Sequence, residues 1–107
     1  MPKYLIRASY TTEGIRGLLK EGGTGRRASL EKAMASIGGT LESMYFAFGE
    51  DDAVLIVDAP DNASVAAAVL AAGATGSVAN LNTTVLLTPE EMDEATKKSV
   101  AYSPPGG

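Results

Sequence analysis

Four places in this chain hold residues able to do chemistry. Gly49-Glu50-Asp51-Asp52 sets three carboxylates in a row, a pattern that could hold a hard cation or pass protons if Glu42 or Asp58 brought further oxygens. The run GGTGRR, Gly22 to Arg27, offers backbone N–H groups and two guanidiniums to a phosphate or carboxylate. Tyr10, Arg27 and Tyr45 could together line a cleft, Arg27 fixing an acidic or enolic oxygen and a tyrosine hydroxyl donating or transferring a proton. Arg7, Asn80 and Asn82 are polar groups set into otherwise apolar strands, and the period of two puts Arg7 on the face opposite Tyr4 and Tyr10.

Each place also has a plainer reading. Gly49 to Asp52 fall between two apolar runs, where Gly permits positive φ and Asp bonds back to the backbone, so a turn there needs no ligand. GGTGRR lacks the strand-loop-helix context and the Lys-Ser/Thr of a P-loop, which leaves a helix break with solvated arginines. A lone tyrosine in a strand is ordinarily a core residue with a satisfied hydroxyl. No catalytic residue and no metal site is assigned from these patterns.

What the chain lacks narrows the chemistry further. It contains no Cys and no His, so a structural zinc, a Cys- or His-ligated haem and a Cys-held iron–sulfur cluster have no ordinary ligands. A Cys nucleophile, a Ser-His dyad and a histidine general base are missing for the same reason. No cofactor is expected. Thirteen acidic against nine basic residues give a net charge of −4, without a basic stripe to neutralise a phosphate backbone. Nucleic acid is therefore not an expected partner. No run nears the length of a membrane span, and the first residues have too short an apolar core for a signal peptide, so no membrane association and a cytoplasmic location are expected.

The elements that must position these groups follow from periodicity. At 107 residues, 45% of them apolar, the chain has the size and composition of one globular domain, expected over 1–100 with a flexible tail at 101–107. KYLIRASY, Lys3 to Tyr10, reads as a first strand. A short helix capped by Thr11 or Thr12 should end at Gly22-Gly23, and a second, capped by Thr24, should carry Leu30, Ala33, Met34 and Ile37 on one stripe. Strands are expected over Thr40–Phe48 and Ala53–Ala59 with GEDD as the hairpin connection. An Ala-rich helix should follow Pro60-Asp61-Asn62 with Val65, Val69 and Leu70 inward, then a strand over Val78–Leu87. Thr88-Pro89-Glu90-Glu91 has the pattern of a capping box opening a last helix.

The order β-α-β-β-α-β, with right-handed crossovers, gives a ferredoxin-like α+β fold: an antiparallel four-stranded sheet with helices on one face and an extra C-terminal helix. Such a sheet should alternate apolar and polar residues, yet MYFAF and AVLIV are apolar on both faces. Helices can hide only one side. The face left open would form an association-prone patch, and its cheapest cover is the same face of a second copy. A homodimer, or a higher oligomer built through that face, is the expectation; the competing arrangement folds the C-terminal helix across it.

KYLIRASYTTEG at the start, an Arg some dozen residues after that Gly, GG before the second strand and GEDD-AVLIVDAPD in the middle resemble the GYD domain family, small bacterial proteins assigned to the dimeric α+β barrel superfamily. The resemblance runs from Lys3 to about Glu91. The name-giving Gly-x-Tyr-Asp would fall on Gly49 to Asp52, with Asp51 where the family has Tyr. The resemblance implies a dimeric barrel with a ligand cleft between sheet and helices, which Tyr10, Arg27 and Tyr45, with Arg7 nearby, could serve. Its superfamily spans cofactor-free monooxygenases, isomerases, haem enzymes and ligand sensors, and the absence of His removes the His-dependent members. Three readings stay open: a dimer binding a small hydrophobic or aromatic metabolite; a cofactor-independent isomerase, cyclase or monooxygenase using Tyr and Arg; and a structural oligomer.

Overall fold

The computed structural model describes residues 1–107. Strands β1 (Lys3–Tyr10), β2 (Thr40–Phe46), β3 (Ala53–Asp58) and β4 (Val78–Leu86) form one sheet in the order β2-β3-β1-β4, with helices α1 (Thr12–Ser36), α2 (Asn62–Gly73) and α3 (Pro89–Thr96). Every neighbouring pair is antiparallel. This is the ferredoxin-like arrangement of two β-α-β units, with the two strands that precede or follow a tight connection at the centre and one edge.

Burial follows the period of two along the central strands. Tyr4, Ile6 and Ala8 of β1 and Ala53, Leu55 and Val57 of β3 are buried, and each residue between them is not. With Met34 of α1 and Val65 of α2 they make the core, against which Leu30, Ile37, Leu41, Met44, Val69 and Leu81 pack. The hydroxyl of Tyr4, nearly fully buried, donates to Asn62 Oδ1 at 2.6 Å, which satisfies the one polar group that this face brings inside.

Local chemistry sets the helix ends. The Thr11 side chain accepts from the Gly14 N–H and Asp61 from the Ser64 N–H, so each helix has one of its free donors satisfied. Thr88 and Glu91 form the complete capping box before α3. The two helices expected between Thr11 and Gly38 are one element broken at Gly22, whose φ of 79° and ψ of 167° leave the helical region. Only that residue departs, so the second half resumes at Gly23 and Thr24 does not cap it. Gly14 is required for a different reason: a Cβ there would collide with the Ser77 carbonyl.

One expectation about facing needs correction, and the competing arrangement of the C-terminal helix is not adopted. Leu70 is exposed, not inward, because it lies five residues after Val65 and so about 140° round the helix from it; Val69, four residues on, does pack inward. The C-terminal helix does not close the open sheet face, since every residue from Pro89 to Gly107 is exposed. The molecule is accordingly elongated, 56 × 32 × 23 Å, with a radius of gyration of 16.9 Å against roughly 13 Å for a compact chain of this length. No helix is long and apolar enough to cross a membrane.

Candidate functional site

The covered side of the sheet is filled where a cleft was expected. The core side chains occupy the space between the sheet and the two helices, and what lies open is at its margins. At the end of β1, Tyr10 is half-buried against the start of α1, where its Cβ packs beside Gly14. Burial holds its hydroxyl above its ordinary value of 10.0; Arg26 pulls the other way, and Asp52 and Glu21 add to the rise. A phenol so placed stays protonated near neutrality and acts as a hydrogen-bond donor, not as a phenolate base.

The guanidinium of this corner is Arg26, not Arg27. Arg27 is exposed, whereas Arg26 tucks its Nε into the protein, 3.4 Å from Glu21 Oε1 and without a hydrogen bond. The helical period carries the signal: at 100° per residue Arg26 falls about 30° from the centre of the Leu30, Ala33, Met34 and Ile37 stripe, and Arg27 about 70°. The kink at Gly22 brings Glu21 and Arg26 together, and Gly23 lets the helix approach the Phe46 ring, 3.2 Å from where a Cβ would stand.

Asp52 answers the question of the three carboxylates. Its side chain accepts from the Tyr10 N–H at 2.8 Å, its own N–H donates to the Ala8 carbonyl, and Ser9 donates to the Glu50 carbonyl. The Gly49 to Asp52 segment is thus a turn stitched to β1, in which the Asp52 carboxylate bonds the backbone.

Tyr45 lies on the other side of the sheet. The pairing of β2 with β3 shifts by one residue between Leu41 and Ser43, and such a bulge flips every later side chain to the opposite face. Leu41 and Met44 therefore pack on the core while Tyr45, 72% exposed, stands on the open face. There it belongs to a cross-strand row: Tyr45 pairs with Val54, Val54 with Arg7 and Arg7 with Asn82. So the structure brings Tyr45 and Arg7 together on one face, Tyr10 into a corner with Arg26 on the other, and leaves Arg27 outside both.

One apolar hollow remains on the helix side. A groove of about 500 Å³ runs between α2 and β4, lined mainly by Val69, Leu70, Ala74, Val78 and Leu81, with Asn80 among its polar groups. Sequence reasoning singled out Asn80 but not the groove. The outward turn of Leu70 is what leaves it open, and the five-residue spacing from Val65 could have shown it. A second hollow of about 410 Å³, on the first half of α1, is lined by Arg16, Gly17, Leu19 and Lys20.

Solved structures share this fold at low sequence identity. FFRP-DM1 has a TM-score of 0.55 at 12% identity, covering 81% of this chain and all (100%) of that one. MtbAldR has a TM-score of 0.55 at 16% identity, over 96% of this chain and 57% of its own. A transcriptional regulator from Neisseria meningitidis, crystallised with L-Met, has a TM-score of 0.50 at 18% identity, over 96% of this chain and 56% of its own. This chain thus spans little more than half the length of MtbAldR and of the Neisseria meningitidis regulator. No curated protein matches it in sequence. Residues 4–96 match the GYD domain, and the chain belongs to the GYD domain family.

Proposed function

We propose that the chain works as a homodimeric binding module: two copies packed on their open sheet faces, each offering the groove between α2 and β4 to a small hydrophobic or aromatic metabolite. The observation that carries the dimer is the surface left uncovered. The chain exposes 7303 Å², while a compact monomer of 11.0 kDa would expose roughly 5,600 Å². The difference, contributed by the open face and the C-terminal arm, is about twice the roughly 800 Å² that each partner buries in an interface of standard size.

The groove supports the ligand. Its volume of about 500 Å³ and its mainly apolar lining fall within the range of small-molecule sites, ~300–1,000 Å³. One of the proteins similar in fold is a transcriptional regulator crystallised with L-Met, which is in keeping with a sensing or carrying role. The reading as a cofactor-independent enzyme has less support, because Tyr10 beside Arg26 is held protonated and so acts as a donor and not as a base.

Gly73 gives a direct test. It lines the groove, and a Cβ there would meet nothing within 4 Å, so Gly73→Leu places an apolar side chain at the hollow. The apolar dye 8-anilinonaphthalene-1-sulfonate should bind the natural dimer and lose at least tenfold in affinity in the variant, with the melting temperature unchanged. Equal dye binding by both proteins would remove the groove from the account.

A further inference from the structure

The C-terminal helix is left without a surface to pack on in its own chain. Helices shorter than about 12 residues are marginal in water by themselves, and α3 has 8 residues, all of them exposed. A capping box opens it, but a cap does not replace a surface. At about 100° per residue Met92 shares one side with Ala95 and Thr96, while Glu91 and Asp93 stand about 100° from it on either hand and Glu90 and Glu94 lie behind. Between Pro89 and Thr96 there are four acids and no base.

The complementary surface lies on the first half of α1. Leu19, 82% exposed, stands there with Arg16, Gly17 and Lys20 round the hollow of about 410 Å³, and the exposed Ile15 extends its apolar side by one turn. Arg16 and Lys20 lie about 60° and 100° round the helix from Leu19. Neither enters an ion pair, for those of the chain join Lys3 to Glu42 and Asp58 and Arg26 to Glu21. Of the two acids on this half, Glu21 is taken by Arg26 and Ser29 and Glu13 stands beside Gly76. An amphipathic helix laid on such a face seats its apolar anchor first. With Met92 on Leu19, Asp93 meets the basic pair if the two helices run antiparallel and Glu91 meets it if they run parallel, so acid faces base in either direction.

Within one chain the two surfaces are out of reach of each other. Leu86 of β4 pairs with Lys3 at one end of the sheet, and only Leu87 and Thr88 separate it from α3. The first half of α1 lies across the other end: Gly14 stands against Ser77 and Tyr10, and Gly23 against Phe46, which pairs with Ala53 and through it with Ala8. From Lys3 to Tyr10 the strand covers roughly 23 Å. Three chain steps from Leu86 to Pro89 reach about 10 Å, and the ~5 Å of helix from Pro89 to Met92 does not close the gap. We propose that α3 of one copy docks on the first half of α1 of a second copy, with Met92 on Leu19 and the carboxylates of α3 on Arg16 and Lys20. Two copies lying antiparallel make this contact twice and close as a pair. The inference goes beyond the packing of the sheets, since it uses the ends of the molecule and does not depend on the open face.

The chain has no cysteine, so introduced thiols report contacts without background. Full-length chains carrying Leu19→Cys and chains carrying Met92→Cys, one of them lengthened by a tag, are mixed and mildly oxidised, with circular dichroism confirming that each variant folds. The mixed disulfide should form at least tenfold faster than the one between Met92→Cys and Ala67→Cys, an exposed position on α2. Adding Arg16→Glu/Lys20→Glu to the Leu19→Cys chain should remove most of that advantage. Ile56→Asp in both chains should leave it at tenfold or more, because the sheet faces do not make this contact. Equal rates at Leu19→Cys and Ala67→Cys would overturn the proposal, and so would an advantage untouched by the charge reversal. If the advantage vanishes only with Ile56→Asp, the arm is held near α1 by the sheets and has no seat of its own, and the proposal falls while the packing of the open faces stands.

Discussion

The two faces of the sheet are built from the same strands and differ in what they ask of the rest of the molecule. On the helix side Tyr4, Ile6, Ala8, Ala53, Leu55 and Val57 are all buried, the one hydroxyl among them has a partner in Asn62, and no charge is enclosed. On the open side Leu5, Val54 and Ile56 are half-buried beside Lys3, Arg7, Asp58 and Tyr45. The first face is complete within one chain. The second combines apolar area with charges already arranged in pairs or awaiting them, which is the composition of an interface core with a polar surround. Burial alternates along β3 although hydropathy does not, and the difference between the two patterns marks the apolar side that the chain's own helices leave uncovered.

Neighbouring residues of β3 break this comparison most sharply. Leu55 points into the core and Ile56 to the open face. Leu55→Ala should remove about 2–5 kcal/mol of folding stability, a large share of the ~5–15 kcal/mol that holds a domain together, seen as an early unfolding transition in urea. Ile56→Asp should leave the monomer folded by circular dichroism and weaken self-association by about a hundredfold or more, since it places a carboxylate in the apolar centre of the contact. If Ile56→Asp unfolds the chain as Leu55→Ala does, the two faces are not distinct in the way described.

A smaller effect probes the helix that roofs the covered face. Gly22 adopts a backbone conformation closed to other residues, so Gly22→Ala should cost about 1–3 kcal/mol and, by straightening α1, separate Arg26 from Glu21. The tyrosine titration would show it: as burial at the corner loosens, the apparent pKa of Tyr10 should fall toward 10.0. The smallest effect lies at the start of α2. The hydrogen bonds from Ser64 hold Asp61 below its ordinary value of 3.8. A depressed carboxylate stabilises the fold above its unfolded pKa and stops doing so as the pH falls through its folded one. Asp61→Ala should therefore lower the melting temperature by a few degrees at pH 7, and the gap to the natural chain should narrow below about pH 4.

Much of this fold was legible because its cues are local. Thr88-Pro89-Glu90-Glu91 announced its capping box, Gly22 its break, and the stripe of Leu30, Met34 and Ile37 its inner face. The apolar runs on both sides of β2 and β3 pointed to a face that the helices do not cover. The site was harder to read. Tyr45 stands on the open face because the register shift between Leu41 and Ser43 reverses the alternation, and nothing in TLESMYF declares where a strand will bulge. Arg26 and Arg27 both follow the glycines of GGTGRR, and the phase of the helix places Arg26, not Arg27, nearer the buried stripe. Leu70, which lines the groove between α2 and β4, turns outward because it lies five residues and so about 140° round the helix from Val65.

Sedimentation equilibrium of the natural chain at micromolar concentration tests the central claim most directly. A particle of about 22 kDa, twice the 11.0 kDa of one chain, that falls to a single folded chain on Ile56→Asp is the predicted result. A well-folded 11.0 kDa particle that neither associates nor binds an apolar dye would show that water alone can cover that face, and would contradict the account.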